Sequence, residues 1–171
     1  FIIIGLKIFM KKNKLFPEYL ECNVAVLGLG YVGLPLAVNF AKNKFLCADN
    51  TTSNRKVIGF DIDSKRVNEL NNFVDFNDEI SEEDLRNSKS LCFTSDENEL
   101  YKADVFIITV PTPVDESKKP NFRPLKESSK MIAKVIGNKK KYQKKSKPII
   151  IYESTVYPGV TEEICVPIIT K

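Results

Sequence analysis

Gly28-Leu29-Gly30-Tyr31-Val32-Gly33 has the spacing G-x-G-x-x-G. Glycines at these intervals let a chain turn sharply and bring bare N–H groups close to a phosphate. Gly28 allows the turn. Gly30 lets the backbone approach a pyrophosphate, and Gly33 lets the next helix pack close to the strand before it. The motif carries weight only where a strand precedes it and a helix follows; without a ligand it is just a glycine-rich turn. The second requirement is an acid at the end of the next strand, and Asp61 in VIGFDID meets it. Its carboxylate accepts hydrogen bonds from a ribose 2′-OH and repels a 2′-phosphate, which favours NAD over NADP. The plain alternative is a strand-end turn residue. The separation of Asp61 from the glycines exceeds the usual roughly 20 residues. The polar, turn-rich stretch 47–56 (CADNTTSNRK) accounts for the excess and reads as a surface insertion. Asp49 lies at a more usual distance, but no strand precedes it.

These residues need a scaffold, and the chain alternates strand and helix, which predicts an α/β fold with a parallel sheet covered by helices. Val24 to Leu27 is a short apolar run ending at glycine, the pattern of a buried strand. A helix is expected over about 32–42, with Val32, Leu36 and Phe40 on one face. Val57 to Phe60 is a second strand, followed by a helix capped by Ser64 and carrying Val67 and Leu70. Ser81-Glu82-Glu83-Asp84 starts another helix, with its acids where the helix dipole favours them. Leu91 to Thr94 and Val105 to Val110 are further strands, the latter ended by Pro111 and Pro113. A helix over about 125–136 and a strand Ile149 to Tyr152 follow. Pro158-Gly159 then leads into a last helix running to the end.

Composition narrows the function classes. The 171 residues are 43% hydrophobic and 28% charged, ordinary for a globular domain, with a formal charge of +4. Much of the positive charge sits in Lys139 to Lys147 (KKKYQKKSK), interrupted by one aromatic, Tyr142. Without a nucleic-acid module around it, this run reads as a solvated loop and no nucleic-acid partner is expected. Cys22, Cys47, Cys92 and Cys165 form no CxxC pair and there is no histidine, which speaks against zinc or any other metal site. Scattered reduced cysteines fit a cytoplasmic location. Residues 1–21 are read as an N-terminal extension. Its apolar start, FIIIGLKIFM, is too short to span a bilayer and lacks the features of a signal peptide, so no membrane partner is expected. Met10 would be a sensible start, and residues 1–9 are expected to have no folded role.

The segments VAVLGLGYVGLPLAVNFA, VIGFDIDSKRVNEL, FTSDENEL, ADVFIITVPTPVD and IIIYESTVYPGVTEEICVP occur in this order. Together they resemble the N-terminal NAD-binding domain of the UDP-glucose/GDP-mannose dehydrogenase family. The resemblance runs from residue 22 to the end and is nearest to the branch that oxidises UDP-N-acetylhexosamines for surface polysaccharides. It implies a Rossmann-type doubly wound parallel sheet at 22–171, without the last strand that family domains carry. It implies oxidation of the sugar C6 to a carboxylate with reduction of two NAD, through a cysteine-bound thioester. UDP-glucose 6-dehydrogenase and a non-catalytic NAD-binding module are the alternatives.

Residue roles follow from the same resemblance. Asp61 and Arg66 resemble the pair that holds the adenosine ribose and the neighbouring phosphate. Thr94 lies where the family lines the cofactor pocket. Thr112 resembles the threonine that orders a water and touches both cofactor and substrate. Its plain alternative is a turn residue between two prolines. Thr155 would border the nicotinamide. Glu162 resembles the catalytic glutamate of thioester hydrolysis. Glu163 is the neighbouring candidate, and both could be acids favoured by a helix N-terminus. Cys165 is not the family nucleophile, which lies in a glycine-rich segment absent here; a buried structural role is expected instead. The resemblance places the remaining catalytic groups, the UDP-binding domain and the dimerisation helix outside this sequence. The chain alone is therefore expected to bind NAD without turnover, and the full-length protein to be a homodimer or larger.

Overall fold

The computed structural model describes residues 16–18, 21–42, 55–114, 119–138, 140–144 and 146–170. The N-terminal stretch through residue 15, Lys139, and most of the expected insertion, including Cys47 and Asp49, lie outside the described residues. Five strands form one parallel sheet: β1 (Val24–Leu27), β2 (Val57–Phe60), β3 (Leu91–Thr94), β4 (Val105–Ile108) and β5 (Ile149–Tyr152). Their spatial order is β3-β2-β1-β4-β5, so the chain moves outward from β1 in one direction and then returns to build the other half. That reversal puts a crevice at the strands' C-terminal ends beside β1, where open α/β sheets bind ligands.

Alternation along the strands divides the core in two. Val24 and Val26 face α1 (Gly33–Lys42), α2 (Ser64–Asn71) and α3 (Glu82–Asn87), packing with Leu34, Val38, Val67, Leu70 and Leu85. Ala25 and Leu27 face the opposite side, where Phe106, Ile108, Leu125, Ile132 and Val135 are buried. This second layer is held by α4 (Arg123–Gly137), the 3₁₀ turn Glu97–Lys102 and the C-terminal segment. Both faces are covered, which is why β1 and β2 read as unbroken apolar runs. β3 and β5 are the edge strands, and both are only partly buried.

Four boundaries differ from the sequence expectation. The first helix starts at Gly33, because residues 30–32 form the turn itself. α2 is capped by Asp63, whose carboxylate accepts from the Lys65 N–H at 2.9 Å; Ser64 is the first helical residue. β4 ends at Ile108, where the Thr109 hydroxyl turns back onto the β1 end and Pro111 cannot donate to the ladder. The last helix is not uniform. It opens as a π-helical turn, Thr161–Cys165, and becomes α5 only at Val166–Ile169. Pro167 has no N–H to offer the carbonyl four residues back, and the widened turn absorbs that gap.

Candidate functional site

The glycine turn leaves β1 at Gly28, whose φ is +98°. An L side chain there would be strained, and a Cβ would press on the backbone of Thr109 and Val110 at 3.2 Å. Gly33 is needed for a different reason. A Cβ there would fall 1.8 Å from the Gly28 carbonyl oxygen and 2.4 Å from Thr109 Oγ1, so α1 could not approach β1. Gly30 has neither constraint: a Cβ there would meet no heavy atom within 4 Å. Protein packing does not demand that glycine, and the open space it faces is the cleft. The N–H groups of Gly30, Tyr31 and Val32 find no acceptor among the described residues. Tyr31 is exposed and lines the same cleft with Val32.

Side chains from the β2 end hold this turn by its backbone. Asp61 Oδ2 accepts from the Leu29 N–H at 2.7 Å, and Oδ1 accepts from the Asp63 N–H at 2.9 Å. Arg66, nearly buried, donates from Nε to the Leu29 carbonyl at 3.0 Å. Both backbone polar groups of Leu29 are thereby occupied. An ionised carboxylate has about four acceptor positions, so Asp61 keeps capacity for a ribose hydroxyl.

Arg66 is itself anchored. Its Nη2 lies 2.7 Å from Oδ1 of Asp75, whose side chain has no exposed surface, and Nη1 lies 3.5 Å from Glu69. Asp75 also accepts from the N–H groups of Asn77, Glu79 and Ile80 at 2.9–3.1 Å. Burial pushes the Asp75 carboxyl up, but Arg66 and the N–H groups outweigh it and hold the group below its ordinary value. The guanidinium expected at a ribose or phosphate is thus turned toward a protein carbonyl and two carboxylates.

On the other side of the cleft, Thr109 Oγ1 lies 2.8 Å from the Gly28 carbonyl and 3.0 Å from that of Leu27, tying β4 to the turn. Thr112 Oγ1 donates to the Thr155 carbonyl at 2.6 Å. Its proton is committed, so toward the cleft it acts as an acceptor, suited to ordering a water. Ser154 Oγ donates to the Val110 carbonyl at 2.6 Å, a second clasp between the β4 and β5 ends. Together these elements surround a cleft of about 890 Å³.

The structure brings Gly28, Gly30, Tyr31, Val32, Asp61, Arg66, Thr112 and Thr155 around that cleft. Gly33 supports it from behind. Thr94 does not line it: its hydroxyl accepts from the Asp96 N–H and its carbonyl from the Asp61 N–H, so it supports the acid from the side. Glu162 is exposed on the π turn and is also outside the lining. Glu163 lies against the Gly159 turn instead. Cys165 is fully buried, and burial pushes its thiol up. It sits beside a hydrogen bond of 2.8 Å between Ser129 and Tyr152, whose phenol burial pushes up to about 12.

Sequence reasoning missed Asp75, Thr109 and Ser154. Thr109 left a signal, the one hydroxyl in the apolar run VFIITV. Asp75 left none that separates it from the neighbouring acids. Among the described residues no cluster of three His, Cys, Asp or Glu side chains could hold a metal ion. No helix among them is long and apolar enough to cross a membrane.

Free N–H groups over an open cleft, glycine where nothing but a ligand needs it, and an acid with spare acceptor capacity fit a dinucleotide. The sequence model of the UDP-glucose/GDP-mannose dehydrogenase family, NAD binding domain, matches residues 22–171. This chain belongs to that family and is its NAD-binding domain. The chain is 46% identical over 151 residues to the UDP-N-acetyl-D-glucosamine 6-dehydrogenase of Pseudomonas aeruginosa, covering 88% of this chain and 31% of that protein. It is 44% identical to the enzyme of the same name from Salmonella typhi, with the same coverage. Among solved structures, a UDP-D-ManNAc dehydrogenase from Pyrococcus horikoshii matches with a TM-score of 0.68 at 28% identity, over 87% of this chain and 33% of that one. The NAD-binding domain thus spans about 31% of the length of these two curated relatives.

Proposed function

We propose that this domain is the cofactor-binding part of an NAD-dependent nucleotide-sugar 6-dehydrogenase that oxidises C6 of a UDP-N-acetylhexosamine to the uronic acid. The observation that carries this reading is the cleft, in which a dinucleotide turn and the polar ends of β4 and β5 meet on one edge. The identity to two UDP-N-acetyl-D-glucosamine 6-dehydrogenases supports the choice of sugar class. When bound, NAD supplies the hydride acceptor. The glycine turn and Asp61 hold its adenosine half. Thr112, with its proton fixed on the Thr155 carbonyl, orients a water or hydroxyl at the reacting end. Glu162, exposed on the π turn and outside the cleft lining, is the proton-handling group in this reading, and it must turn toward the β5 end of the cleft to act.

The chain by itself then binds NAD but does not turn over. Calorimetric titration with NAD, with NADP as the control, tests the cofactor part: a working Asp61 site binds the first and rejects the second. For the substrate part, NADH formation by the complete protein is followed with UDP-N-acetylglucosamine and with UDP-glucose. Two NADH per UDP-N-acetylglucosamine supports the proposal, and preference for UDP-glucose refutes its sugar class.

A further inference from the structure

The cleft is rich in acids. Asp61, Asp63, Glu69, Glu127 and Glu153 line it, and against them stand two cations, Arg66 and Arg123. Arg66 is turned inward onto Asp75, Glu69 and the Leu29 carbonyl. Arg123 is exposed, and among the described residues its guanidinium has no hydrogen bond and no ion pair. Glu127, one turn further along α4, feels its charge but is bonded to Lys130 at 2.9 Å. Arg123 is also the first residue of α4, where the helix dipole disfavours a cation. Lys42 and Lys134 stand instead in the last turns of α1 and α4, where the dipole favours them, and each has a carboxylate partner. Folding accounts for those lysines and not for Arg123.

The backbone carrying Arg123 is braced toward the ends of β4 and β5. The Asn121 N–H donates to the Pro113 carbonyl at 2.7 Å, which pins the start of α4 close to Thr112. Asn121 Oδ1 accepts from the Arg123 N–H at 2.9 Å. Phe122 meets Tyr157 edge-on, with ring centroids 5.5 Å apart. A diphosphate entering an acid-lined cleft needs a cation free to meet it, and a guanidinium presents its donors in a fork that matches phosphate oxygens. We infer that Arg123 is the cation that binds a ligand diphosphate in this cleft, a place Arg66 leaves open by pairing with Asp75. The inference rests on the nucleotide reading of the cleft and adds to it the residue that supplies the charge. NAD and a UDP-sugar both carry a diphosphate, and kinetics of the complete protein separate the two.

NADH formation by the complete protein gives one KM for NAD and one for the UDP-sugar it turns over. Arg123→Gln should raise one of them roughly ten-fold. Arg123→Lys, which keeps the charge, should recover part of that loss, and added salt should narrow the gap between Arg123→Gln and the unaltered protein. A raised KM for NAD assigns the cofactor's diphosphate to Arg123, and a raised KM for the UDP-sugar assigns the substrate's. Matching melting curves show that the exposed side chain is not needed for folding. Both KM values unchanged in Arg123→Gln overturn the inference and leave the NAD reading standing. A rise that is equal in Arg123→Lys and indifferent to salt also overturns it, because charge is then not what the residue contributes. A folded, unaltered chain that binds no NAD in calorimetry removes both readings. A preference for UDP-glucose refutes only the sugar class, since the KM for that sugar reads the same diphosphate.

Discussion

At the ends of β1 and β2 side chains hold the backbone: the N–H and carbonyl of Leu29 are bonded by Asp61 and Arg66, and Arg66 is paired with the buried side chain of Asp75. At the end of β5 the polar groups are exposed: Glu153, Thr155 and Glu162 face solvent, and the edge strand itself is only partly buried. On the NAD reading proposed above, the first region recognises a dinucleotide largely through main-chain N–H groups, and those work only if the turn is rigid before the ligand arrives. The second region offers side chains, whose positions can adjust when a reactant docks.

That contrast can be broken most severely at Asp75. Asp75→Ala leaves the Arg66 guanidinium buried with only the more distant Glu69 carboxylate, and should cost about 3 kcal/mol of stability in a denaturant titration. The same carboxylate sets an acid dependence. Its folded value lies below its ordinary 3.8, so the unfolded chain binds the proton more readily. Its stabilisation is present above that value and is lost as pH falls through the folded one. Asp75→Asn should flatten this part of the stability profile measured from pH 5 downward.

Gly33→Ala is next, at about 3 kcal/mol, because its Cβ meets the Gly28 carbonyl rather than a flexible side chain. Gly30→Ala sharpens the comparison. With nothing near its Cβ, stability should stay within about 0.5 kcal/mol, while NAD affinity by calorimetry falls roughly ten-fold as the methyl occupies pyrophosphate space. A Gly30→Ala chain that binds NAD normally would place the pyrophosphate elsewhere. The smallest effect is expected on the open side. Ile151→Thr, on the exposed face of β5, should change stability by about 0.5 kcal/mol or less and leave NAD affinity alone. A large loss there would mean that the edge is as tightly built as the glycine turn.

Much of the fold was legible because its signals are local. Four-residue apolar runs bounded by glycine, proline or polar residues identified all five strands, and the Ser81 cap and the amphipathic stripe of α4 marked their helices. The boundaries that shifted did so where long-range contacts intervene, as at Thr109, whose hydroxyl turns back to a strand 82 residues earlier. The π turn ahead of Pro167 was not legible, because the pattern of apolar residues does not distinguish a widened turn from an ordinary one.

The same division holds for the site. Local sequence determined the glycine turn by its spacing, the acid by the apolar strand that precedes it, and the family by the resemblance of successive motif segments, since each depends on residues close together in the chain. Tertiary structure decided which of those residues face the cleft. It turned Arg66 toward a buried carboxylate, set Thr94 behind Asp61, left Glu162 outside the cleft lining and carried Phe76 to its rim. The direction in which a side chain spends its hydrogen bonds depends on partners brought near by folding, and sequence spacing carries no record of them.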